Sequence, residues 1–138
     1  MSNFTTESAV RLRFQVEDTA WAPAALIENC IAEAHAGIGA RLAPEVDPES
    51  PPDTLVRGET LLAGAVLLPA LASKASAGRH PVSVGGQRID RAKQFAALMA
   101  LAAQTEEQAW RVLAPHLAPV AEKAPGDATD SAPVLGTT

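Results

Sequence analysis

The sequence predicts a mostly α protein: a small helical bundle with a short β-hairpin flap between its last two long helices and an extended C-terminal tail. Three observations point there. Aromatic residues are 4% of the 138, with no Tyr, in a composition that is 47% hydrophobic and dominated by Ala, Leu and Val. Such side chains suit close-packed helices better than a β-sandwich, which draws on aromatic and β-branched residues. Apolar residues also recur at three- and four-residue steps, and Pro- and Gly-rich stretches punctuate them. The length fits one domain, residues 1 to 119, followed by a tail over residues 120 to 138.

Along the chain, Thr5 or Thr6 is placed to cap a short helix through Phe14, with Val10 and Phe14 on one face. The stretch QVEDTAW reads as a connection. From Ala22, the residues Ile27, Ile31, Ala34, Ile38 and Leu42 form one stripe of a second helix, weakened at its end by Gly37 and Gly39. APEVDPESPP, with four prolines and three acids, is a loop. Ser50 and Pro51 then suit a helix start. Leu55, Glu59, Leu62, Val66, Leu67 and Leu71 carry that helix to about Ala77, where Gly78 ends it, and Pro69 is expected to kink it. Asp90 caps a last helix from Arg91, with an apolar stripe of Phe95, Leu98, Met99, Ala102, Ala109, Trp110 and Leu113. TEEQ at 105 to 108 resembles a capping box and predicts a break and restart. Pro115 and Pro119 close the segment. The tail is too rich in Ala, Pro, Gly, Asp and Thr to order itself, so a partner is expected to order it.

The bulk chemistry excludes several classes. A single cysteine, Cys30, rules out an internal disulfide or a multi-cysteine metal site within one chain and points to a reducing compartment. The N-terminus lacks the apolar segment of a secretory signal and is expected to be mature as written. The longest uncharged run, Thr60 to Ser73, is 14 residues, short of a membrane span, and reads as a buried helix. His35, His80 and His116 are scattered, and no metal or cofactor is expected. GIGARL at 37 to 42 lacks the third glycine and the preceding strand of a dinucleotide fingerprint. Neither a nucleophile elbow nor a P-loop occurs. Glu106 and Glu107 are adjacent and diverge on a helix, and Cys30 beside Ile27 and Ile31 reads as a buried inert thiol. No residue is supported as catalytic, and the chain is expected not to be an enzyme.

Charge is unevenly placed within the net −5. Lys74, Arg79, Arg88, Arg91 and Lys93 face one acid, Asp90, giving +4, while Glu45, Asp47, Glu49, Asp53 and Glu59 face Arg57, giving −4. Such blocks are commonly solvated faces; they also bear on association. Between the basic residues lies HPVSVGGQRID. Gly85-Gly86 suits a two-residue hairpin turn that pairs Val84 with Gln87, Ser83 with Arg88 and Val82 with Ile89. A phosphate loop would need the glycines to lead straight into a helix, which they do not. A lone hairpin is marginal in water, so it packs on its own helices or on another subunit.

The order of these segments, from RLRF and ALIENCIAEA through the acidic proline loop and a long apolar helix to VSVGGQRID, RAKQFAALMALAA and EEQAWRVLAPHL, resembles the head-tail connector adaptors of long-tailed bacteriophages, prophages and phage-like particles. The resemblance spans roughly residues 5 to 119 and rests on order and texture. It implies a structural virion protein, assembled in the host cytoplasm, that forms a homo-oligomeric ring, a dodecamer, at the head-tail interface. Its implied partners are the portal protein, the next connector, stopper or tail protein, and DNA passing through the channel without sequence specificity; no membrane is implied. Val82, Val84, Arg88, Ile89 and Arg91 are the expected subunit contacts, with Val134 and Leu135 as tail anchors. The rival reading is a small helical DNA-binding packaging or regulatory protein that uses the basic block 74 to 93. Against it stand the acidic whole and the lack of a basic recognition helix.

Overall fold

The computed structural model describes residues 3–76, 83–84, 87–88 and 91–119. Four helices, α1 (Glu7–Phe14), α2 (Ala24–Gly39), α3 (Asp53–Ser76) and α4 (Arg91–Leu113), are followed by a 3-10 turn, Ala114–His116. The chain is a helical bundle, as its composition predicts.

Helix α3 is the hub, because its sequence is apolar on nearly every side between Leu61 and Ala75 and a helix of that kind has to be surrounded. Leu55, Leu61, Leu67 and Leu71 are almost completely buried beneath α1, α2 and α4. By length and composition its segment Asp53–Ala75 could cross a bilayer, but 67% of the most apolar window is buried within the fold. The other helices supply the apolar surroundings that a membrane would otherwise provide.

Local signals set the ends. Thr6, not Thr5, caps α1 by accepting from the Ala9 amide at 3.2 Å, and Gln15 closes it in a left-handed conformation at φ 56°. The helix α2 starts at Ala24 rather than Ala22, since Ala22 precedes Pro23 and is biased away from helical backbone. Asp18 builds the connecting turn by accepting from the Ala20 and Trp21 amides. The same rule corrects the start of α3. Pro51 precedes Pro52, so the helix begins at Asp53 and the Pro52 carbonyl accepts its first bonds from Leu55 and Val56. Pro69 lies inside α3 without ending it.

The break expected at Thr105 does not occur: α4 is continuous from Arg91 to Leu113. Glu and Gln are good interior helix residues, and Thr105 is buried along the packed face, so tertiary contact holds the segment in one helix. Leu42 leaves the α2 stripe and forms an antiparallel bridge with Leu117. Around it the Ala118 amide donates to Arg41 O at 2.8 Å, the Ala43 amide to His116 O at 2.9 Å, and Thr54 Oγ1 meets His116 Nε2 at 2.6 Å. These bonds, with the Arg41 guanidinium 4.4 Å from the Trp110 ring centre, fasten the end of the domain across the acidic loop.

The β-hairpin flap is not supported as an element. Ser83–Val84 (β1) and Gln87–Arg88 (β2) pair antiparallel, Ser83 with Arg88 and Val84 with Gln87. Two residues a side do not make a flap, and the rest of residues 80 to 90 lies outside the described residues, as does the tail 120–138.

Two glycines let helices approach α3. A Cβ on Gly64 would strike the Phe14 ring, and one on Gly58 would lie 2.4 Å from Leu113 Cδ2. Leu113 is fully buried and cannot withdraw. Gly58→Ala should therefore destabilise the fold by about 1–3 kcal/mol through overpacking, despite the ~1 kcal/mol that alanine gains in helix propensity. Urea unfolding checks this; an unchanged or raised stability would mean that the α3–α4 seam has slack at Leu113.

Candidate functional site

The chemistry of the bundle is concentrated at Glu59, which lies on the apolar stripe of α3 and is 0% exposed. A buried carboxylate needs partners, and three groups meet it. Its Oε2 accepts from the backbone amides of Phe4 at 2.7 Å and Thr5 at 2.9 Å, while Oε1 lies 2.7 Å from His35 Nδ1. The Phe4 ring meets the His35 imidazole edge-on at 4.7 Å. Beside them Thr60 Oγ1 donates to Val56 O at 2.9 Å, so Thr5 Oγ1 supplies the proton in the 2.6 Å Thr5–Thr60 contact. The cluster ties the segment before α1 to α2 and α3 at once.

A second brace lies nearby. Arg11 donates through Nε to Glu7, and through its terminal nitrogens to Val16 O at 3.3 Å and Ala22 O at 2.8 Å; Lys74 Nζ donates to Trp21 O at 2.6 Å. These bonds hold the α1–α2 connection against the bundle. Among the described residues no group of three or more His, Cys, Asp or Glu side chains could hold a metal ion. Cys30 is buried, and burial, with a smaller contribution from Glu33, pushes its thiol up to about 11. What the buried polar groups do is hold segments together.

The expected contact residues are only partly placed. Val82, Ile89, Val134 and Leu135 lie outside the described residues; Val84 and Arg88 belong to β1 and β2, and Arg91 is the first residue of α4. Of the acidic block, Glu45, Asp47, Glu49 and Asp53 are exposed at the start of α3, but Glu59 belongs to the core, so with exposed Arg57 the surface charge there is −3. The apolar stripe expected for α4 also needs correction. Ala102, Ala109 and Leu113 are buried, whereas Phe95 and Met99 are exposed by 37% and 39%. Phe95 and Met99 are a helical i, i+4 pair that α3 alone does not cover. The signal for this was available, since FAALMALAA at 95 to 103 is apolar on all sides and cannot face only one neighbour. An exposed apolar helix face is the candidate interaction site of the described residues. No family model, curated protein or solved structure matches the chain.

Glu59→Ala should cost about 3–5 kcal/mol, because it strips the acceptor from two amides and His35, whereas Glu59→Gln keeps one acceptor oxygen and should cost less. Urea unfolding with amide exchange at Phe4 and Thr5 reads both; equal stability of the two variants would show that the cluster does not latch the N-terminal segment. The Cys30 thiol gives a pH signature. An unfolded chain ionises it near the ordinary 9.0, the folded one near 11, so its contribution is complete below about pH 9 and is lost as pH rises towards 11. Cys30→Ala should remove that part of the alkaline fall in stability; an identical pH profile would disprove the link.

Proposed function

We propose that the chain is a structural, non-enzymatic connector, an adaptor ring that joins the portal to the neck or tail of a phage or phage-like particle and lines the DNA exit channel. The reading rests on the segment order described above and on one observation of the fold. The exposed acids Glu45, Asp47, Glu49 and Asp53 lie before and at the start of the 24-residue α3, whereas Lys74 lies in its last turn and exposed Lys93 near the start of α4. A helix of that length spans ~36 Å, so the acids at its start and Lys74 at its end do not neutralise each other within one chain. Between chains they can, through a head-to-tail contact that forms a ring when its rotation closes.

In this reading the stretch between α3 and α4 contributes to the subunit contact through Val82, Val84, Arg88 and Ile89, with Arg91 beside it. The tail is ordered on the portal, anchored by Val134 and Leu135. The long apolar α3 serves as a core helix, without a membrane. Native mass spectrometry and negative-stain imaging at low salt should find rings that Arg88→Glu with Arg91→Glu weakens and that added salt loosens. Rings unaffected by the charge reversal would sink the charge-pairing contact. Tight binding of nonspecific DNA by the free chain in a gel shift, without rings, would favour the DNA-binding alternative.

A further inference from the structure

Residues 95–103 read FAALMALAA, nine positions without a polar side chain. A helix apolar on every side belongs in an interior. Yet only Ala102 is buried and Leu98 half-buried, while Phe95, Ala96, Ala97, Met99, Ala100, Leu101 and Ala103 are exposed. At 3.6 residues per turn Ala96, Met99, Ala100 and Ala103 share one side, away from the buried row of Ala102, Thr105, Ala109 and Leu113, while Phe95, five turns before Leu113, lies in line with that row yet is exposed. Leu101 lies on the opposite flank. The alanines allow another helix to come close, and Met99, with Phe95 at the margin of the face, gives it apolar surface to cover.

The ends of this face carry opposite charges. Lys93 is exposed just before it, and Glu106 and Glu107 are exposed just after it; Glu107 has a loose 3.8 Å contact with Arg111, both largely in solvent. A second copy of α4 laid antiparallel about Ala100 sets Lys93 of each chain against Glu107 of the other and brings Met99 near its own copy. A parallel pair would set like charges together, which is unfavourable. We propose that two copies of this chain form a two-fold antiparallel dimer through the outer face of α4. A two-fold contact closes on itself, so it is distinct from the head-to-tail contact of the proposed ring and stands or falls without it.

Light scattering of the full chain across a concentration series tests the dimer, and Met99→Lys should give a folded monomer whose unfolding midpoint no longer depends on concentration and matches that of the dilute, dissociated parent. Lys93→Glu and Glu107→Lys should each weaken the dimer on the order of tenfold, there being two exposed pairs, and the double variant should restore it. Under mild oxidation Met99→Cys should give a covalent dimer and Ala97→Cys, on the far side of the helix, should not; Cys30 is buried and stays out of the reaction. A monomeric parent chain, a dimer that survives Met99→Lys, or equal cross-linking at both positions would overturn the proposal. So would a dimer that forms only after residues 120–138 are removed, since the tail would then be what covers the face.

Discussion

A carboxylate inside an apolar helix is tolerated only if its surroundings answer it with hydrogen bonds, and Glu59 imposes that demand on the whole bundle. The answer comes from residues far away in sequence: the amides of Phe4 and Thr5, and His35 of α2. Because both Glu59 oxygens are committed, the N-terminal segment, α2 and α3 are positioned together. This is a specificity device more than a source of stability. Apolar contacts are non-directional, whereas the register observed brings two amides and an imidazole to a single carboxylate.

The same economy of polar groups holds the connections. Arg11 and Lys74 bind carbonyls of the α1–α2 connection, and the bridge between Leu42 and Leu117 locks the end of α4 to the acidic loop. In each case a cation or a short backbone pairing ties irregular chain to a helix. These buried polar groups are thus consumed in cohesion. Among the described residues the surface carries four exposed acids before and at the start of α3, exposed Lys93 near the start of α4, and an apolar face along α4.

Much of this was legible in advance. The stripe Ile27, Ile31, Ala34 and Ile38 predicted α2 and its buried face, because helix periodicity is a local property that tertiary packing only confirms. The ends of helices were less legible where two local signals competed: Ser50 as a cap lost to the restriction that one proline places on the residue before it. TEEQ carried the pattern of a helix start but sits in a continuous α4, because a capping box is equally compatible with a helix interior when the neighbouring helix continues.

The sequence by itself determined that the chain is helical, that α3 is apolar enough to need surrounding, and that no familiar catalytic or metal motif is present, since these follow from composition and short-range spacing. Only the tertiary structure decided that Glu59 belongs to the core instead of an acidic surface block, that His35 is its partner, and that Phe95 and Met99 are left exposed. The reason is physical. Whether a side chain on an amphipathic stripe is buried depends on how many neighbours reach it, and the number and length of those neighbours are set by the packing of distant segments, which no local pattern records.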